Sequence, residues 1–126
     1  MFEMIGTAKT YPEVENIVQR GLGPAGLMEF SRFDHGDVLR KARGEKAPRV
    51  FRFLIGNLLI MKMVEHVPDA GSCAPVTILV DGRADGVHLS YDTMMSVLAP
   101  CGNADALKTA KELDAKIEAL VNNAAK

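Results

Sequence analysis

The stretch from Val50 to Pro68, VFRFLIGNLLIMKMVEHVP, is the longest apolar run of the chain and decides the fold. Up to Ile55 it is rich in β-branched and aromatic side chains, a composition typical of strands. Gly56 and Asn57 then interrupt the run, and Leu, Ile and Met predominate until the proline ends it. The stretch therefore predicts a buried strand, a tight turn and a short helix after Asn57.

The composition of the whole chain is that of an ordinary globular protein. Its 126 residues are 48% hydrophobic and 25% charged, so we expect residues 1–126 to form a single domain. The 15 basic and 16 acidic side chains nearly cancel, which predicts no binding to nucleic acid or to a membrane surface. No apolar run reaches the ~18 residues of a membrane span, and the first residues lack the pattern of a signal peptide. We therefore expect a cytoplasmic protein in which Cys73 and Cys101 are reduced.

The part of the chain before this stretch predicts two strands and two helices. Phe2 to Ala8 is expected to be a first strand. A capping box beginning at Thr10 starts a helix that glycines end. Leu27 to Phe33 alternates as a second strand, and a short helical insertion, Val38 to Arg43, follows the turn at Asp34.

The part after it predicts a hairpin and a long helix. Val76 to Val80 and Val87 to Tyr91 alternate as two strands joined by a turn. Asn103 is expected to cap a last helix with an apolar stripe on one side and charged residues, Asp114 among them, on the other. This order predicts an α+β fold, an antiparallel sheet of about five strands with the first and last helices packed on one face.

Asp34 and His35 are the strongest local signal for chemistry. They fall where a strand ends and a helix begins. A histidine there can act as acid, base or metal ligand near neutral pH, with the aspartate as its orienting neighbour. The alternative is that Asp34 caps the helix and His35 is simply exposed, and the residues alone favour this alternative. Asn57 is open to the same two interpretations, as a helix cap or a site group.

Two sulfur-containing segments have weaker signals, one for metal binding and one for thiol chemistry. Met63 and His66 share a helix face, and thioether and imidazole groups suit copper. A core methionine is the more common outcome, and the residues favour it. Cys73 and Cys101 lack both C-x-x-C and zinc spacing, so buried or idle thiols are favoured over reactive ones.

Four short motifs follow one another along the chain: Phe33-Asp34-His35; Gly56-Asn57 with Leu59-Ile60-Met61; Pro75 with Val80; and Gly86-Val87-His88-Leu89-Ser90-Tyr91. Together they resemble a domain of unknown function, DUF302, over nearly the whole chain. The chain departs from that family's pattern in two places. Leu58 stands where the family usually has proline, and Ser72 to Pro75 replaces a Leu-Asp-Leu-Pro segment.

The resemblance implies a β-α-β4-α fold of the TATA-binding-protein-like type and a homodimer. It also implies that the residues matching the pattern belong to one site, and these are Asp34, His35, Asn57, Ser90 and Tyr91. All five lie at or near predicted strand ends, where polar groups can converge on one pocket. With the resemblance, His35 becomes the favoured site residue.

We therefore expect a dimeric binding module that holds a small molecule, a transition metal or haem at a pocket centred on His35. One alternative is an enzyme in which His35 is the general acid or base, helped by Asp34, Asn57 and Tyr91. A second is a sulfur or redox role through Cys73 or Cys101. A third is an interaction protein without a ligand, whose sheet face at Val50 and Leu54 pairs two subunits.

Overall fold

A computed structural model describes residues 2–125, without the side chains of the first two of these. Its elements in chain order are α1 (Phe2–Thr7), α2 (Tyr11–Gly21), β1 (Met28–Asp34), α3 (His35–Arg43), β2 (Val50–Gly56), α4 (Leu59–His66), β3 (Val76–Arg83), β4 (Gly86–Ser90), α5 (Met94–Leu98) and α6 (Ala104–Ala124). Short 3-10 turns follow α4 and α5. Within the described residues, no helix combines the length and the apolar character needed to cross a membrane.

The strands form one antiparallel sheet in the order β1-β2-β3-β4. This confirms the α+β fold with an antiparallel sheet. The described sheet has four strands rather than about five, because the segment expected to be the first strand is α1 instead. So short a segment cannot establish a period, and an apolar run of this length is compatible with either helix or strand.

The starts of two helices follow from their capping residues. The Thr10 hydroxyl accepts a hydrogen bond from the Glu13 amide at 3.4 Å, as the capping box predicts. The Glu13 carboxylate accepts a hydrogen bond from the Lys9 amide at 2.6 Å. A regular capping box would use the amide of the N-cap residue, Thr10, which is one residue later. Asn103 caps α6 by accepting from the Ala106 amide at 2.9 Å, also as expected.

The core lies between one face of the sheet and the helices α4, α5 and α6. Val76 and Ile78 face it from β3, and Met63, Leu113 and Ile117 face it from α4 and α6. Complete burial of an apolar side chain of this size contributes about 1.5–3 kcal/mol. Met63 is fully buried, as expected of a core methionine. This layer holds α6 in place across the sheet.

The alternation of strand side chains sends another row to the opposite face. Phe33, Arg52, Leu79 and Ser90 are partners across all four strands. Because side chains alternate along a strand, this row lies on the face opposite Ile78. The candidate site lies where polar side chains of this face meet the open end of the β3–β4 hairpin, which is the end opposite its turn.

Candidate functional site

A pocket of about 470 Å³ lies where β3 extends past the end of β4. β3 pairs with β4 only from Leu79 to Arg83, so residues 76–78 face no described strand on that side. The start of α5 forms the opposite wall, to which it contributes Met94 and Val97. We call this the edge pocket. Its polar lining residues are Arg52, Ser72, Cys73, Thr77, Ser90, Tyr91 and Asp92.

Two contacts orient the exposed side chain of Arg52 at this pocket. Its Nε donates a hydrogen bond to the Thr77 hydroxyl at 3.2 Å. Its guanidinium carbon lies 5.7 Å from the centroid of the Phe33 ring, a cation–π distance. These two contacts use the Nε group and one face of the guanidinium, so the two terminal nitrogens remain available to a ligand.

The buried carboxylate of Asp114 organises the opposite wall of the edge pocket. It accepts a hydrogen bond from the Tyr91 hydroxyl and others from the amides of Met94 at 2.8 Å and Met95 at 3.0 Å. A helix N-terminus favours such an acceptor, because its first amides have no intrahelical partner. Asp114 of α6 thereby fixes both the tyrosine and the start of α5. Burial and this carboxylate together raise the pKa of Tyr91.

The burial of Asp114 corrects a sequence prediction. The carboxyl was expected on the charged outer side of the last helix, yet the residue is only 5% exposed. It lies four positions after Ala110 and three before Ile117, so it shares the helix face that enters the core. That spacing is the signal in the sequence that could have identified it.

Asp34 is the N-cap of α3. Its carboxylate accepts from the Asp37 amide at 3.0 Å and forms an ion pair with Arg40 at 2.9 Å. Desolvation alone would raise the pKa of Asp34, but the Arg40 and Asp37 hydrogen bonds outweigh it and lower that pKa. This geometry is the helix-cap interpretation of Asp34.

His35 is the first residue of α3 and is exposed. Its ring stacks on Phe33, with centroids 6.3 Å apart. It does not line the edge pocket.

Asn57 connects its own turn to the Gly26 loop and to the start of α4 through two hydrogen bonds. Its amide nitrogen donates to the Gly26 carbonyl at 3.0 Å, and its oxygen accepts from the Leu59 amide at 2.9 Å. The residue is buried and does not line the edge pocket. The oxygen therefore satisfies an amide at the start of α4, as the cap interpretation expects, whereas the amide nitrogen joins this turn to the Gly26 loop.

The five residues expected to converge are thus separated by the strand order. Asp34 and His35 lie at the end of β1, at one edge of the sheet, whereas Ser90 ends β4 at the other edge and Tyr91 follows it. Three inter-strand spacings of about 4.8 Å place these two edges about 14 Å apart. Ser90 and Tyr91 share the edge pocket, and Asp34, His35 and Asn57 lie elsewhere.

The expected metal ligands and thiols also separate. Among the side chains of residues 4–125, no three His, Cys, Asp or Glu groups lie closely enough together to hold a metal ion. Met63 is buried in the core while His66 is exposed, so the two do not share a surface. Both cysteines are free thiols. Cys73 lines the edge pocket, and Cys101 is exposed outside it.

Comparison with known proteins gives a family and a fold. The model of DUF302, a domain of unknown function, matches residues 5–124. The crystal structure of an uncharacterized conserved DUF302 protein from Bacillus stearothermophilus superposes with a TM-score of 0.71 over 90% of each chain, at 10% sequence identity. At that identity the likeness shows the fold alone. No curated protein matches the chain.

Proposed function

We propose, on the premise that this chain belongs to the DUF302 family of domains of unknown function, that it is a binding module for a small organic molecule. The ligand would occupy the edge pocket. The observation that carries the proposal is the composition of that pocket: an oriented guanidinium, a thiol and hydroxyl groups line it together with apolar side chains.

The size and lining of the edge pocket support this proposal. Its volume of about 470 Å³ falls within the roughly 300–1,000 Å³ of small-molecule sites, which are mostly apolar with a few placed polar groups. Leu79, Met94 and Val97 supply apolar surface, and Ser90 supplies a hydroxyl. The bond network of Asp114 keeps the α5 wall in one position, which lowers the entropic cost of binding.

The proposed site is the edge pocket, which does not include His35. The neighbouring Asp34 carboxylate is committed to Arg40 and the Asp37 amide rather than to the histidine. An enzyme that uses His35 as general acid or base would need a partner that orients the ring. The described contacts of His35 supply the stacked Phe33 ring and no such partner. The absence of a three-residue donor cluster in the described part also argues against a transition metal, and we extend the proposal neither to a metal nor to haem.

The two thiols allow a direct test, because one lies in the edge pocket and the other outside it. Iodoacetamide at neutral pH is added to the folded protein, and alkylation of Cys73 and Cys101 is followed by peptide mass spectrometry. A panel of small organic compounds is screened for members that slow alkylation of Cys73 alone. We expect such compounds, since a bound molecule covers the first thiol and leaves the second open.

Matched variants establish where the compound binds. Val97→Trp fills the edge pocket and should abolish the protection of Cys73. Val87→Trp is the control, because Val87 is 75% exposed on the hairpin and lies outside the pocket. If no compound protects Cys73, or if every protecting compound protects Cys101 equally, the proposal is wrong.

A thiol role is the second candidate, favoured by the location of Cys73 in the pocket. The reaction would be exchange with a small disulfide: the Cys73 thiolate attacks one sulfur, a mixed disulfide forms, and the other sulfur leaves as a thiolate. Incubation with oxidised glutathione tests it, with Cys101 as the internal reference. Faster mixed-disulfide formation at Cys73 supports this role, and equal rates at the two thiols exclude it.

The homodimer that the family resemblance implies stays a prediction. Light scattering coupled to size-exclusion chromatography measures it directly. A mass of twice 13.6 kDa at micromolar concentration is the expected result, and a monomer would contradict it.

A further inference from the structure

We propose that the edge pocket selects small organic oxyanions, and that Arg52 binds the anionic group. The ligand class is a carboxylate or phosphate monoester with an apolar body. This inference rests on the proposed function, since it names the chemistry of the ligand of the same pocket.

Arg52 differs from the other arginines whose contacts are described. Arg32 is paired with Glu29 at 2.6 Å, Arg40 with Asp34 at 2.9 Å, and Arg83 with Asp81 at 2.7 Å. Each of these three arginines is therefore paired with a carboxylate of the same chain. Arg52 forms no ion pair with any carboxylate of residues 4–125, although its side chain lines a pocket.

The contacts that Arg52 makes within the protein orient its guanidinium for binding a ligand. The Thr77 hydroxyl fixes Nε and the Phe33 ring lies against the guanidinium. A positioned guanidinium presents two terminal nitrogens in a planar fork, which matches the two oxygens of a carboxylate or phosphate. Because these two contacts favour one orientation of the guanidinium, less side-chain entropy is lost when the anion binds.

The other lining groups define the rest of the ligand. Leu79, Met94 and Val97 give the pocket apolar walls suited to a hydrocarbon body. Asp92 also lines the pocket and forms no ion pair with Arg52 among the described contacts. Its charge disfavours an anion nearby, so the oxyanion is expected at the Arg52 end and an uncharged group near Asp92.

Three compounds of equal chain length separate charge from shape. Hexanoate, hexyl phosphate and hexanamide are compared for their ability to slow alkylation of Cys73, with Cys101 as the internal reference. We expect hexanoate, hexyl phosphate or both to protect Cys73, and hexanamide at the same concentration to leave its rate unchanged. Protection by only one of the anions identifies whether the oxyanion is a carboxylate or a phosphate.

Arg52→Gln should weaken the protection about tenfold to a hundredfold, because a charge-assisted hydrogen-bonding group is lost from the site. Arg49→Gln is the matched control, since Arg49 is an exposed arginine of the same region that does not line the pocket. Arg52→Lys keeps the charge without the planar fork and should weaken protection to an intermediate degree. It serves as the test variant if the glutamine variant does not fold.

The outcomes distinguish this inference from the proposed function. If hexanamide protects Cys73 as well as hexanoate does, the pocket binds ligands without selecting anions, so the inference is wrong and the proposed function stands. Equal weakening by Arg52→Gln and Arg49→Gln would likewise overturn the role of Arg52. If neither these three compounds nor any member of the wider panel protects Cys73, both fail.

Discussion

The Tyr91 hydroxyl donates a hydrogen bond to the carboxylate of Asp114, a residue 23 positions later in the chain. The same carboxylate accepts from the amides of Met94 and Met95 at the start of α5. One buried side chain of α6 thus joins the end of β4 to the first turn of α5. The edge pocket lies between these two segments, so its shape depends on α6 although no α6 residue lines it.

Asp114→Ala should lower the free energy of unfolding by about 2–4 kcal/mol, because two helix-terminal amides and a phenol lose their acceptor. Asp114→Asn keeps one acceptor oxygen and should cost less. Urea denaturation measures both. Glu118→Ala is the control, since this acidic residue lies one turn further along the same helix and is exposed. An Asp114→Ala variant as stable as the Glu118→Ala variant would show that the network contributes nothing.

Tyr91 should make the protein less stable in alkaline solution. Burial is the larger cause and the hydrogen bond to Asp114 the next, and both raise the pKa of Tyr91 in the folded state. A tyrosine in the unfolded chain has a pKa of about 10. Because the folded state holds the proton more tightly, this contribution is complete below about pH 10 and is lost as the pH rises further. Tyr91→Phe should therefore show a shallower loss of unfolding free energy above that pH. Parallel pH profiles for the two proteins would contradict the assignment.

Asn57→Ala should cost about 1–3 kcal/mol, since the Gly26 carbonyl and the Leu59 amide both lose a partner in a buried place. Asn57→Asp keeps the acceptor but brings a negative charge toward the Gly26 carbonyl, so it should also destabilise. Asn16→Ala, at an exposed position of α2, provides the comparison. Thermal unfolding followed by circular dichroism distinguishes the three variants. A site role for Asn57 without a structural one would leave the melting temperature unchanged.

His35→Ala should change the unfolding free energy by less than about 0.5 kcal/mol, the usual range for an exposed side chain. It should also leave ligand protection of Cys73 unchanged, since His35 does not line the edge pocket. The same alkylation assay measures this second quantity. Loss of protection with the fold intact would return the site to His35.

The sequence predicted those features that depend on neighbouring residues. The strand, turn and helix around Asn57 follow from a change of composition within one run, and the starts of α2 and α6 follow from the capping residues Thr10 and Asn103. Family-like motifs added the fold type. The strand predicted for Phe2 to Ala8 was wrong, and the helix α1 forms there instead, because a segment of this length has no measurable period.

The candidate site depends on distant contacts, which local patterns do not contain. Ser90 and Tyr91 were expected in a site and do line the edge pocket. No pattern in the sequence singled out Arg52, and only the pairing of β2 with β3 brings Thr77 beside it. Asp34 and His35 were grouped with Ser90 because the family resemblance implies one site, and their positions at or near predicted strand ends were compatible with that. Adjacency at strand ends also requires the strand order, which the sequence alone did not supply.

The early end of β4 also determines how much of β3 is open to pairing with another chain. An exposed strand edge is a template on which another chain can pair and aggregate. Here the edge of β3 left open by β4 is limited to residues 76–78. Pro75 precedes it, and the first turn of α5 stands across from it. The open edge is therefore long enough to contact a small molecule and too short to pair with an incoming strand.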